Sequence, residues 1–156
     1  MKHLQGDRKT TNGTQNAFEA AVAAAQKDGK SLNPLYLLAA LMRHDSVPAI
    51  AELAEQEKVS MRDLIERCDL AAQVADATSI EQWPMLATTA DHTANQWKHD
   101  YLGTEHLLMA LIADGASTKS FLSEQGIEAA AIHDMMIQIY FSPSSIAPRA
   151  RVVPAP

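Results

Sequence analysis

The sequence predicts an all-α protein: a pseudo-twofold tandem repeat of two four-helix units, about eight helices in total. Three observations carry this. The segment Tyr101 to Ile112 (YLGTEHLLMALI) has a blurred copy in Ser31 to Met42 (SLNPLYLLAALM), seventy positions earlier. Self-similarity at a long fixed period marks one structural unit used twice. Apolar residues make up 47% of the 156 positions but aromatics only 5%, and much of the apolar share is Ala. Such a composition suits close helix packing better than a sheet, which favours β-branched and aromatic side chains. Apolar residues also recur at helical spacing, between cap and breaker residues, along most of the chain.

The elements follow in order. Residues 1–13 are polar and read as a flexible leader. Thr14 is placed to cap a first helix carrying Phe18, Ala21, Val22 and Ala25, with Gly29 ending it. Asn33-Pro34 is a start signal, Asn as N-cap and Pro at the first helical position. The helix after it, to about Arg43, is apolar nearly all round, which marks a central, buried element. Pro48 opens a third helix, and Ser60 with Asp63 three residues on opens a fourth through Leu64, Ile65, Cys68 and Ala71. The pattern lapses near residues 75–83 and restarts at Pro84, giving a fifth helix over about 85–99. Thr104 is expected to cap a sixth helix with Leu107, Leu108, Leu111 and Ile112. A seventh follows Ser117, and an eighth spans about 128–140. The final stretch, 142–156, holds Pro143, Pro148, Pro154 and Pro156 and reads as a disordered tail.

The halves align beyond the opening segment. Ala17 falls on Ala87, Gln26 on Gln96 and Leu41 on Leu111; later Leu53 falls on Leu122, Val59 on Ile127 and Leu64 on Ile132. Each half has one helix too apolar to stand in water, and packing the halves together buries both. The expected organisation is one domain over 14–141, with repeat one at 14–75 and repeat two at 84–141.

The net charge is −6. Residues 1–75 carry 9 basic and 10 acidic side chains, and residues 76–156 carry 4 and 9. An acidic surface repels phosphate backbones, so nucleic acid is not an expected partner. The single cysteine, Cys68, excludes an internal disulfide and a cysteine-rich zinc site, and its apolar neighbours mark it as a buried structural thiol. No apolar run suggests a secretory signal or a membrane span, so the cytoplasm is the default location.

Catalytic and cofactor motifs are absent: no Walker A pattern, no nucleophile elbow, no HExxH. No cofactor is expected. His92, His99 and His106 recur every seven residues, but the turn at Gly103 breaks the helix that would align them, and no acidic or thiol ligand joins them at a standard metal spacing. They read as surface or capping histidines, and no metal is expected. An enzyme built on Glu105 and His106 is disfavoured, because adjacent helical residues point about 100° apart. Glu105 has a plain structural role, a carboxylate in the first turn of a helix. Trp83 and Trp97 bracket the fifth helix and suit core or inter-repeat packing.

The segment Gly103-Thr104-Glu105-His106-Leu107-Leu108 is similar to the G-T-E-H-[LI]-L signature of the amino-terminal (Clp N) domains of the Clp/Hsp100 unfoldases. The first copy, Asn33-Pro34-Leu35-Tyr36-Leu37-Leu38, resembles the Pro-Leu-His-Leu-Leu form of ClpB-type members. The likeness extends from about residue 14 to 141. It implies a pseudo-symmetric helical domain that binds proteins: unfolded or tagged substrates, adaptors or Clp subunits. In some ClpC-type members the Glu of each motif contacts the guanidinium of phosphoarginine. Only Glu105, with Thr104 beside it, matches here, because Leu35 stands where the first Glu would be. The basic, glycine-rich stretch after the helix is reduced to Asp114-Gly115-Ala116-Ser117, and without a cation the phosphate is poorly held. ClpB-like members point instead to a shallow apolar groove for extended segments. The expectation is a non-catalytic module for substrate or adaptor recognition, linked to an unfoldase-protease or disaggregase system. The alternative is a stand-alone accessory or regulatory protein, a decoy or docking subunit. Any polar ligand site is expected to be single, at Thr104 and Glu105.

Overall fold

A computed structural model describes residues 9–45, 47–75, 83–114 and 116–141. Eight helices account for nearly all of it: α1 (Asn12–Lys27), α2 (Pro34–Asp45), α3 (Pro48–Gln56), α4 (Met61–Val74), α5 (Trp83–Gln96), α6 (Thr104–Asp114), α7 (Ala116–Glu124) and α8 (Ala129–Phe141). Two short strands, β1 (Lys9–Thr10) and β2 (Tyr101–Leu102), pair in parallel, Lys9 with Tyr101 and Thr10 with Leu102. The expected all-α class and the two four-helix repeats are both present. Most of the leader and all of the Pro-rich tail, together with the break at 76–82, lie outside the described residues.

Helix starts follow local chemistry. Ser60 caps α4 by accepting from the Asp63 amide at 3.1 Å. Asn33 caps α2 with its side-chain oxygen, 3.0 Å from the Leu35 nitrogen, and its amide donates to the Ala72 carbonyl at the end of α4 at 3.1 Å. One buried side chain thus satisfies an orphan donor and ties two helices together. The start of α1 differs from expectation. Thr11 is the cap, accepting from the Thr14 amide at 3.1 Å. Thr14 is instead fully buried, and its hydroxyl donates to the Leu102 carbonyl at 3.2 Å. The partner lies 88 residues away in sequence, so local pattern could not reveal it.

Helix ends repeat the internal symmetry at the level of the backbone. The chain turns left-handed after α1, α3, α5 and α7, at Gly29 (φ 67°), Lys58 (φ 61°), Lys98 (φ 60°) and Gly126 (φ 83°). Each turn closes with the same pair of bonds. After α1, Gly29 donates to the Gln26 carbonyl and Lys30 to the Ala25 carbonyl; after α5, Lys98 donates to Asn95 and His99 to Ala94. The ends of α3 and α7 match them, with Val59 donating to Ala54 and Ile127 to Leu122. This is the paired 5→2 and 6→1 closure that ends helices with one left-handed residue. Equivalent ends of the two halves use Gly in one copy and Lys in the other.

The core forms around α2 and α6, which pack on each other. Every residue from Leu35 to Met42 is buried, as is every residue from Leu107 to Ile112. Helix α1 covers α2 and α5 covers α6, while α3 crosses to α8 and α2 reaches α7. The two halves therefore share one apolar interior. Cys68 sits in it with no exposed surface, its thiol donating to the Leu35 carbonyl at 3.3 Å. Burial pushes that thiol well above the usual range, which makes it unreactive. Trp97 is also buried, whereas the side chain of Trp83 lies outside the description. Among the described residues, no helix is long and apolar enough to cross a membrane.

Candidate functional site

The start of α6 gathers the polar residues that the sequence singled out. The turn after α5 and the short strand β2 fold the chain back, so that His99, Tyr101, Glu105 and His106 meet. Gly103 occupies the cap position expected of Thr104, since its carbonyl accepts from the His106 and Leu107 amides at 3.1 and 3.2 Å. Thr104 is the first helical residue and is half-buried. The amide of Gly103 donates to Nδ1 of His106 at 2.8 Å. A side chain at the third helical position reaching back to the cap amide is half of a capping box, with His in place of the usual Glu or Gln.

Glu105 turns inward. It is 9% exposed, and its Oε2 accepts from the Tyr101 hydroxyl at 2.8 Å. A methyl group on Gly103 would stand 2.5 Å from Glu105 Oε1 and 3.0 Å from the Tyr101 ring. Glycine is thus what allows the carboxylate to fold back over the helix start. The first copy solves the same problem with an apolar residue in place of Glu105: Asn33 caps, Leu35 fills that position, and Tyr36 replaces His106. The Tyr36 hydroxyl donates to Asp28 at 2.9 Å. Burial, reinforced by that bond and by the Asp28 charge, pushes its pKa up to about 12.

The histidines differ from expectation in one respect. His92 is exposed on α5, but His99 and His106 meet, Nδ1 to Nε2 at 2.8 Å. An acidic group does join them, with Glu105 Oε2 4.0 Å from His99 Nδ1. Spacing along one helix could not show this, because the contact is made across a turn. His99 stacks on Tyr101, ring centroids 5.0 Å apart and 9° from parallel, and Trp97 packs against both imidazoles.

Ligand atoms of His99, Glu105 and His106 all lie within 4.8 Å of one another, close enough to consider a metal. The proton inventory argues against one. Nδ1 of His106 accepts the Gly103 N–H, so the proton of the neutral ring sits on Nε2. That proton points at His99 Nδ1, and a metal on Nε2 would demand a doubly deprotonated ring. Metal-bound histidines instead donate through their second nitrogen. The donor set does not fit a metal.

The geometry defines a two-repeat helical domain whose second central helix begins at a buried polar anchor. The chain matches the family described as "Clp repeat (R) N-terminal domain" over residues 9–125 and 82–140, and it belongs to that family. It is 27% identical over 139 residues to the chaperone protein ClpB of Mycobacterium tuberculosis (strain ATCC 25618 / H37Rv), covering 83% of this chain and 16% of that protein. The Mycobacterium leprae (strain TN) ClpB is 26% identical over 137 residues, with the same coverage. The chain therefore spans about a sixth of the length of these relatives. Among solved structures, the Hsp104 N-terminal domain from Candida albicans superposes with a TM-score of 0.69 at 19% identity, over 86% of this chain and 93% of that one. A structure described as "Preliminary structural investigations of a malarial protein secretion system" gives 0.65 at 23% identity, over 85% and 95%. At these identities the structural likeness is one of fold.

Proposed function

We propose that this domain is a non-catalytic protein-binding module that recognises substrates or adaptors for a Clp/Hsp100 unfoldase or disaggregase, through an apolar surface rather than a charged pocket. The observation that carries this reading is the contrast between two places on the molecule. Leu70 and Val74, one turn apart on α4, are 63% and 86% exposed, whereas the carboxylate of Glu105 is folded inward onto Tyr101. Exposed large apolar side chains on a small domain are candidate contacts for extended or unfolded chains. A guanidinium ligand at Thr104 and Glu105 would have to displace the Tyr101 hydroxyl first. On this reading those two residues serve the start of α6. The same surface suits either context, a receiving domain of a larger chaperone or an accessory protein that competes for its clients.

The test is a titration of fluorescently labelled, reduced and carboxymethylated lactalbumin, which stays unfolded, followed by anisotropy. The expected result is saturable binding of the unfolded form, no binding of native lactalbumin, and at least tenfold weaker binding by the Leu70→Ser/Val74→Ser variant. Equal affinity for both forms, or none for either, would count against the proposal. Saturable binding of free phosphoarginine that is lost in Glu105→Gln would favour the charged site instead.

A further inference from the structure

We propose that the His106–His99 pair is an acid-operated latch that holds the start of α6 and, through it, the contact between the N-terminal strand and the second repeat. The number of protons the two rings can hold decides it. With both rings neutral, His106 carries its proton on Nε2 and donates it to His99 Nδ1, so His99 carries its own on Nε2. Two basic nitrogens remain, the Nδ1 of each ring. One accepts the Gly103 amide and the other accepts His106, both at 2.8 Å. A third proton has no vacant position. On His106 Nδ1 it faces the Gly103 N–H; on His99 Nδ1 it faces the His106 N–H. Moving the His106 proton to its other nitrogen recreates the first conflict. One of the two bonds must break when the pair becomes a cation.

What then loosens is set by the neighbours. Gly103 follows Leu102, whose carbonyl accepts the Thr11 amide at 3.0 Å and the Thr14 hydroxyl at 3.2 Å. The pairing of β1 with β2 runs through Tyr101 and Leu102, the two residues immediately before Gly103. A protonated His99 also has somewhere to go, since Glu105 Oε2 is 4.0 Å from its Nδ1. Glu105 from α6 and Tyr101 from β2 face the pair directly. Asp91, His92, Lys98 and Asp100 are carried by α5 and the turn behind it. Glu19 and Lys27 lie on α1, Arg43 is paired with Asp69 across α2 and α4, and α7 and α8 carry Lys119, Glu124, His133 and Asp134. Of these groups, Glu105 lies 4.0 Å from the pair, and a carboxylate that close favours the protonated ring. The proton count sets what it breaks. Histidine is the side chain whose ordinary titration, near pH 6.5, places such a change within reach of mild acid.

The experiment is amide hydrogen exchange on the full ¹⁵N-labelled chain at roughly pH 7.5 and 5.5, with imidazole nitrogen spectra recorded over the same range. At the higher pH, His106 should show the Nε2–H form. At the lower pH, protection factors at Gly103 and Thr11 should fall at least tenfold, while that of Leu38 in the middle of α2 holds. In the His99→Gln/His106→Gln variant, amide oxygens accept and amide nitrogens donate along the same path without titrating, and the pH step at Gly103 should vanish. The wild-type spectra decide the matter even if that variant does not fold. Two results overturn the latch: the rings gain a proton with Gly103 protection unchanged, or neither ring gains one by pH 5.5.

Discussion

At the residue scale, the GTEH segment works as one packed unit in which each side chain constrains the next. Gly103 leaves room for Glu105, Tyr101 holds its carboxylate, and His106 holds the Gly103 amide. Gly103→Ala should therefore destabilise the domain by about 1–3 kcal/mol, the usual cost of overpacking, as measured by urea unfolding. An unchanged midpoint would mean that the carboxylate is free to leave. A second prediction concerns Tyr36, whose hydroxyl pKa is raised to about 12. The folded state then holds its proton more tightly than the unfolded chain, which releases it near pH 10. The stabilisation is complete below pH 10 and is lost as the pH rises from there toward 12. Wild type should lose stability across that window faster than Tyr36→Phe, in paired thermal melts. Much of this anchor was legible: the sequence pointed at Thr104, Glu105 and a capping role for histidine. What it hid was direction. Whether Glu105 faces solvent or Tyr101 depends on a turn four residues long, and the His99–His106 contact depends on the path of that turn.

At the scale of elements, the starts were easier to read than the ends. Asn33, Pro48 and Ser60 each open the helix expected of them, because a cap acts within its own first turn. Thr14 misled because Thr11 also satisfies the local rule, and a distant strand decides between them. Gly29 marked its stop, yet the matching stop at Lys98 carries no such signal. A left-handed Lys is a mild strain that the surrounding bonds impose. Lys98→Gly should stabilise the domain by up to about 1 kcal/mol, since the strain it relieves exceeds the extra freedom glycine gives the unfolded chain. The reverse change at the equivalent kind of site, Gly126→Lys, should destabilise, because its φ of 83° lies in the left-handed region that strains any side chain. Chemical denaturation of the two variants checks the pair, and a shift of the same sign in both would refute the shared geometry.

At the scale of the molecule, the two repeats stand or fall together, because α2 and α6 each complete the other's core. Leu38 and Leu108, both fully buried, occupy the same position in the two copies. Truncating either to Ala should cost about 2–5 kcal/mol and lower the midpoint of a single cooperative transition, seen by calorimetry. Two separated transitions would show that the halves are independent. The repeat itself was plain in the sequence because buried apolar helices leave a dense pattern. The apolar surface on α4 was not, since Leu70 and Val74 share their helix with Leu64 and Cys68, and exposed and buried apolar positions look alike in a string of letters.

The proposed function rests on which of two surfaces receives a protein chain, and amide chemical-shift mapping with unfolded, carboxymethylated lactalbumin compares them in one spectrum. Shifts and broadening should centre on Leu70 and Val74, with Thr104 and Glu105 unmoved. Perturbations centred on Thr104 and Glu105, with α4 silent, would contradict the proposed function.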